Sequence, residues 1–213
     1  MLDIPINNTD ILNSLNNFLW FYENRNNKDW KVGGRSKHRN HFVGDSHKNT
    51  IINMGRNHDG YPESGYYYNF KADSHNRGKG LPKEIIQQYN IVNTELQEKL
   101  CTRRNALCVM YPPGGFIGWH TNWNASAYQM LFTYSLDGNG YFNYLDNKTN
   151  EIVTIPDKKG WQCRWFHFGE KNDPDNHCWH SAYTSCDRFT MAVKFDDLNY
   201  LHDVIEDLTS NDD

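Results

Sequence analysis

The sequence lacks several things that would assign it to a class at once. No apolar run approaches the roughly 18 residues of a membrane span. The opening MLDIPINNTD carries no basic stretch followed by an apolar one, so a secretory leader is not expected and the expected compartment is cytoplasmic. There is no basic excess: 22 Lys and Arg stand against 26 Asp and Glu, a net charge of -4, so nucleic acid is not indicated as a partner. The 5 cysteines are odd in number, widely spaced and without C-x-x-C, which argues against a disulfide framework or a cysteine zinc site. Phosphate-binding glycine loops are missing too: Gly33-Gly34 and Gly114-Gly115 have no G-x-x-x-x-G-K-[ST] or G-x-G-x-x-G context.

What remains is 213 residues with 15% aromatics and 10 histidines, enough for one domain with a core of its own. We read the chain as a single domain, 1–213. Its first part, 1–104, holds helices and irregular loops. A helix is expected over 10–23, where Ile11, Leu12, Leu15, Phe18 and Leu19 recur near helical spacing behind Asn8 or Thr9 as N-cap. Another is expected over 83–100, with Pro82 just ahead of it. Between them, 27–81 reads as loops with one or two short strands. From 105 to 196 short runs rich in aromatic and β-branched residues are separated by turn chemistry such as PPGG, DGNG and DKKG. About eight short strands with such punctuation predict an antiparallel sandwich or barrel. A helix over 197–213 ends the chain.

The β part also carries the candidate chemistry. His120 and Asn122 lie two apart in GWHTN, so on a strand they share a face. His180 follows in HCWHSAY, with His177 as a rival three residues earlier. Arg188 and Thr190 again share a face, with Lys194 further along it. Two imidazoles, a guanidinium and hydroxyls inside one barrel would suit a metal and an anion together. The loop histidines His38, His41, His47, His58 and His75 sit among Arg, Lys, Asn and Asp, where a second metal site is a minor alternative; the basic stretch Lys31 to His47 reads as a solvated loop that could touch an anionic substrate.

This stretch resembles the Fe(II)- and 2-oxoglutarate-dependent dioxygenases, most closely the prolyl-hydroxylase-like group. VMYPPGGFIGWH, over 109–120, is similar to the strand–turn–strand that leads into the family's H-x-D motif. YQMLFTYSL resembles its next strand, and His180 followed by Arg188 and Thr190 resembles the distal iron histidine and the basic clamp. The resemblance implies a mainly β fold with flanking α: a double-stranded β-helix (jelly-roll) core, with the N-terminal helices packed on one sheet. It implies Fe(II), 2-oxoglutarate as co-substrate and O2. His120, Asn122 and His180 would be the metal positions. Arg188, Thr190, Tyr111 and Tyr134 would bind the co-substrate. The activity implied is hydroxylation of a protein or peptide side chain, a nucleobase or a small metabolite, with release of succinate and CO2. The sequence leaves the substrate and the oligomeric state open.

One departure stands out. The H-x-D carboxylate falls on Asn122, a neutral and weaker donor. Asn122 could still hold iron, leave a position for a halide as in an oxidative halogenase, or mark a catalytically silent jelly-roll that only binds. Asp146 could supply a carboxylate instead. Neutral histidine ligands are expected to release metal as pH falls through about 6.5.

Overall fold

The fold is taken from a computed structural model, which describes residues 2–24, 38–55, 58–70, 83–102, 105–122, 128–169 and 176–210. His75, Pro82 and the stretch from Lys31 to residue 37 lie outside the described residues.

Helix α1 (Thr9–Glu23) begins where Asn8 accepts a hydrogen bond from the Ile11 amide at 3.1 Å, an N-cap that satisfies one of the orphan amides of the first turn. Helix α4 (Lys83–Lys99) turns Ile85, Tyr89, Val92 and Leu96 to the same buried side. Helix α5 (Leu198–Thr209) is capped by Asp197, whose Oδ1 accepts from the amides of Asn199 at 2.7 Å and Tyr200 at 3.2 Å. Two helices arise where loops are expected: α2 (Arg39–Phe42) and α3 (Asp45–Met54). Their pattern is thin, since α3 buries only His47 and Ile51, so periodicity could not announce them.

All eight runs between 105 and 196 are strands: β4 (Asn105–Tyr111), β5 (Phe116–His120), β6 (Tyr128–Ser135), β7 (Gly140–Asp146), β8 (Glu151–Pro156), β9 (Gly160–His167), β10 (His180–Thr184) and β11 (Arg188–Phe195). Short strands β1 (Leu2–Ile4), β2 (Gly65–Tyr66) and β3 (Tyr68–Asn69) extend the edges. The sheets run β1-β9-β6-β11-β4-β3 and β2-β5-β10-β7-β8, antiparallel throughout. The chain alternates between the two sheets from β4 to β7, turns back through the β7–β8 hairpin, and alternates again from β8 to β11. That is the double-stranded β-helix, or jelly-roll.

Three cores follow from strand alternation. On the outer face of the six-stranded sheet, Phe132, Phe189 and Met191 pack against Phe18 of α1 and Tyr89 of α4. Phe18 meets Phe189 edge-on at 5.4 Å between ring centroids, a favoured aromatic geometry. Between the sheets lie Val109, Tyr111, Leu131, Phe142, Phe166, Phe168 and Ala182. On the outer face of the five-stranded sheet, Trp119 and Trp179 pack with Ile51 of α3. The two N-terminal helices expected from the sequence, α1 and α4, pack on the six-stranded sheet as expected, and α2 and α3 add cover to the five-stranded one. No helix among the described residues is long and apolar enough to cross a membrane.

Candidate metal and anion site

His180 opens β10 and lies opposite the last residue of β5, His120. The register makes that pairing possible. Ala182 opposes Ile117, and an unbroken ladder would place Trp119 opposite His180. A one-residue bulge in β5 intervenes and puts His120 there instead. Side chains alternate along a strand, so this slip sends Trp119 outward and His120 inward. Trp119 accordingly packs beneath α3, and its indole Nε1 donates to the Val43 carbonyl at 2.9 Å. Gly118 sits in the bulge, and its amide donates to the Ser64 carbonyl at 2.9 Å.

The two imidazole centroids are 4.1 Å apart. Each ring is pinned the same way. His120 Nδ1 is 2.8 Å from the Gly118 carbonyl, and His180 Nδ1 is 2.8 Å from the Cys178 carbonyl. A carbonyl oxygen can only accept, so both Nδ1 atoms carry the proton and both Nε2 atoms present a lone pair. That tautomer is the one a metal requires, and such outer hydrogen bonds are what fix metal-binding histidines in proteins. Phe142 stacks on His180 at 5.4 Å and Phe168 packs against it at a tilt at 4.7 Å between ring centroids. Burial pushes the His120 imidazole down to about 4, and burial followed by the His120 charge pushes His180 well below the ordinary histidine range. Both rings are neutral at physiological pH. Protonation of either ring is therefore held to a pH below the 6.5 of an ordinary imidazole.

Asn122 completes the group. Its φ is 57°, a left-handed conformation that Asn tolerates better than most residues, and its amide nitrogen donates to the Gly60 carbonyl at 3.0 Å. Its side-chain Nδ2 lies 3.2 Å from His180 Nε2, so the amide points a donor at the imidazole lone pair. A half-turn of the amide would present Oδ1 there instead. Asp146 supplies no carboxylate: its Oδ1 accepts from the amides of Lys148 at 2.8 Å and Thr149 at 3.3 Å and closes the β7–β8 turn. Among the described residues no three His, Cys, Asp or Glu side chains converge on a metal position. The side chains grouped here are two imidazoles and one amide.

Arg188, Thr190 and Tyr111 also face the space between the sheets. Tyr111 lies directly across from Arg188, whose guanidinium carbon is 5.3 Å from its ring centroid, and burial raises the Tyr111 phenol. Arg188 Nη1 donates to Thr190 Oγ1 at 2.8 Å. The guanidinium is not waiting for a partner, however. Its Nε donates to Asp157 Oδ2 at 2.7 Å and its Nη2 reaches Asp157 Oδ1 at 3.5 Å, with side chains 5% and 0% exposed. Sequence reasoning missed Asp157 because DKKG reads as a turn and nothing in its spacing points to position 188.

Tyr134 must be corrected. It pairs with Phe189, and both point to the helix-covered face, where Tyr134 also meets Trp161 at 5.3 Å. The β6 residues that share the Arg188 face are Thr133, opposite Thr190, and Ser135, opposite Arg188. Alternation by one residue decides this, and it excludes Tyr134 from the site.

Fold and side chains together define a jelly-roll protein with a buried two-histidine centre and a guanidinium deeper between its sheets. No protein-family model matches the sequence, and no curated protein matches it. Solved structures do show similarity at low identity. One is a prolyl hydroxylase from Trichoplax adhaerens in complex with a hypoxia inducible factor oxygen degradation domain peptide: 14% identical, over 93% of this chain and 84% of that one, at a TM-score of 0.41. A second is a full-length Neurospora crassa protein in complex with alpha-KG: 14% identical, over 91% of this chain and 73% of that one, at a TM-score of 0.38. A third is a recombinant oxalate oxidase in complex with glycolate: 13% identical, over 41% of this chain and 39% of that one, at a TM-score of 0.30. All lie below a TM-score of 0.5, so the function proposed below rests on the side chains.

Proposed function

We propose that this protein is an Fe(II)- and 2-oxoglutarate-dependent oxygenase acting as a hydroxylase. The observation that carries this reading is the cross-strand histidine pair, with both Nδ1 atoms tied to carbonyls and both Nε2 atoms therefore unprotonated. His120 and His180 would hold the iron. Asn122 would serve as a third donor once its amide turns. Arg188, Thr190 and Tyr111 would receive the co-substrate. Bound iron with 2-oxoglutarate and O2 supplies oxidation of an unactivated C–H bond, with succinate and CO2 as by-products.

The chain's own contribution is positional. The Gly118 and Cys178 carbonyls keep the rings in one tautomer and one orientation. Phe142 and Phe168 exclude water around His180 and keep it neutral. Thr190 fixes one guanidinium nitrogen while its own O–H remains able to donate. The substrate is a protein or peptide side chain, a nucleobase or a small metabolite.

A second reading is favoured by one observation. Asn122 directs a side-chain N–H at His180, so the position next to the metal could hold an anion such as halide, as in an oxidative halogenase. Product mass with and without chloride separates the two.

The test is succinate formation coupled to O2 uptake in the presence of Fe(II) and 2-oxoglutarate. We expect turnover in the native chain and none in H120A, with thermal unfolding of H120A confirming that it folds. Equal succinate formation by the native chain and H120A would refute the assignment.

A further inference from the structure

The Asp157–Arg188 pair has a consequence for what the deep end of the barrel will accept. Both side chains are buried, and the carboxylate has a seat prepared for it. The Asp157 amide donates to the Gly140 carbonyl at 2.9 Å. Any Cβ at position 140 would run into Asp157 Oδ2 and crowd Thr184 Oγ1, so Gly140 admits the carboxylate where another residue would exclude it. This ion pair belongs to the interior and is no accident of a solvated surface.

Its geometry divides the guanidinium. Asp157 takes the edge formed by Nε and Nη2, and Thr190 takes one N–H of Nη1. One N–H of Nη1 and one of Nη2 remain for a ligand. A carboxylate arriving there meets a positive charge already matched by a negative one a few ångströms behind it. The field of such a pair falls off faster than that of a lone cation, and in a poorly polarisable interior Asp157 cancels a large part of the attraction. Between this end and the histidines, Thr133, Thr190, Leu131, Ala182 and Ala192 are uncharged, and a buried cation on the same face, Arg164 opposite Leu131, is itself paired with Asp3.

We propose that Asp157 sets the preference for the co-substrate: with Arg188 neutralised, the chain takes short 2-oxo acids with uncharged tails nearly as well as 2-oxoglutarate. This rests on the 2-oxo-acid oxygenase reading above. Asp157 acts through Arg188 and is a positioning and selectivity residue, not a catalytic one.

The experiment is calorimetric binding to the full chain loaded with Mn(II), without oxygen. The probes are 2-oxoglutarate and 2-oxopentanoate, which has the same five carbons but no distal carboxylate. For the native chain we expect dissociation constants within about tenfold of each other. Asp157→Asn keeps an oxygen to accept from Nε but removes the charge. We expect it to tighten 2-oxoglutarate by about tenfold or more and to change 2-oxopentanoate by less than about threefold. Should that variant fail to fold, the ratio in the native chain decides alone. A native preference for 2-oxoglutarate above about a hundredfold, or weaker 2-oxoglutarate binding in a folded Asp157→Asn variant, overturns the inference and leaves the oxygenase reading standing. Binding of neither acid removes both.

Discussion

Replacing Asn122 by aspartate (N122D) tightens divalent metal binding on the order of a hundredfold. A carboxylate and a dication attract by more than about 4 kcal/mol at ligand distance, even at an effective dielectric near 20, and desolvation of the carboxylate takes back part of that. The structure adds a second reason. In the native chain Asn122 Nδ2 donates to His180 Nε2 across 3.2 Å. In N122D an acceptor oxygen faces that acceptor nitrogen, so the metal-free variant loses a hydrogen bond and gains a repulsion. Both effects favour the metal-bound form. The expected result is a lower melting temperature than the native chain without metal and a larger rise on adding Mn(II), since ligand binding stabilises in proportion to the logarithm of its concentration over Kd. Titration calorimetry and thermal unfolding check this. Unchanged metal affinity would place residue 122 outside the metal's reach.

Removing Arg188 has the largest expected cost in stability. In R188A the Asp157 carboxylate, 0% exposed, loses its counter-ion and two hydrogen bonds while remaining in the interior. Breaking a buried pair from one side costs about 3–5 kcal/mol. For a chain of this size that corresponds to a fall in Tm on the order of 10 °C. The control is the double variant R188M/D157L. Replacing both partners with apolar groups of similar volume leaves no unpaired charge, so most of the loss should return. A drop of under about 1 kcal/mol in R188A would mean that Asp157 finds water or another partner.

The eight strands of the core were legible because turn residues punctuate them and aromatic and β-branched residues fill them. The helices α1, α4 and α5 were legible for the same kind of reason: each repeats apolar residues on one face and two carry a recognisable cap. The site was harder. His120 meets His180, and Arg188 meets Thr190 and Tyr111, but what unites each group is pairing between strands that no local pattern states. His120 faces inward only because of a bulge, and a bulge leaves no mark on composition. Tyr134 shows how narrow the margin is: it lies one residue from Thr133 and Ser135, and that single step carries it to the opposite face of the sheet. Asp157 was invisible for a different reason. It meets Arg188 because the end of β8, the start of β7 and the start of β11 lie at one end of the jelly-roll, an arrangement that exists only after the whole barrel has closed. Helices α2 and α3 were hidden by brevity and by a basic stretch that reads as a solvated loop, although His47 within it is 3% exposed.

A metal shared by two imidazoles is the central claim. Anomalous diffraction at the manganese edge, from crystals soaked in Mn(II), locates such an ion without reference to turnover. The expected peak lies about 2.0–2.3 Å from Nε2 of both His120 and His180. Density bound to one ring alone, or ions found only on the surface, would contradict it.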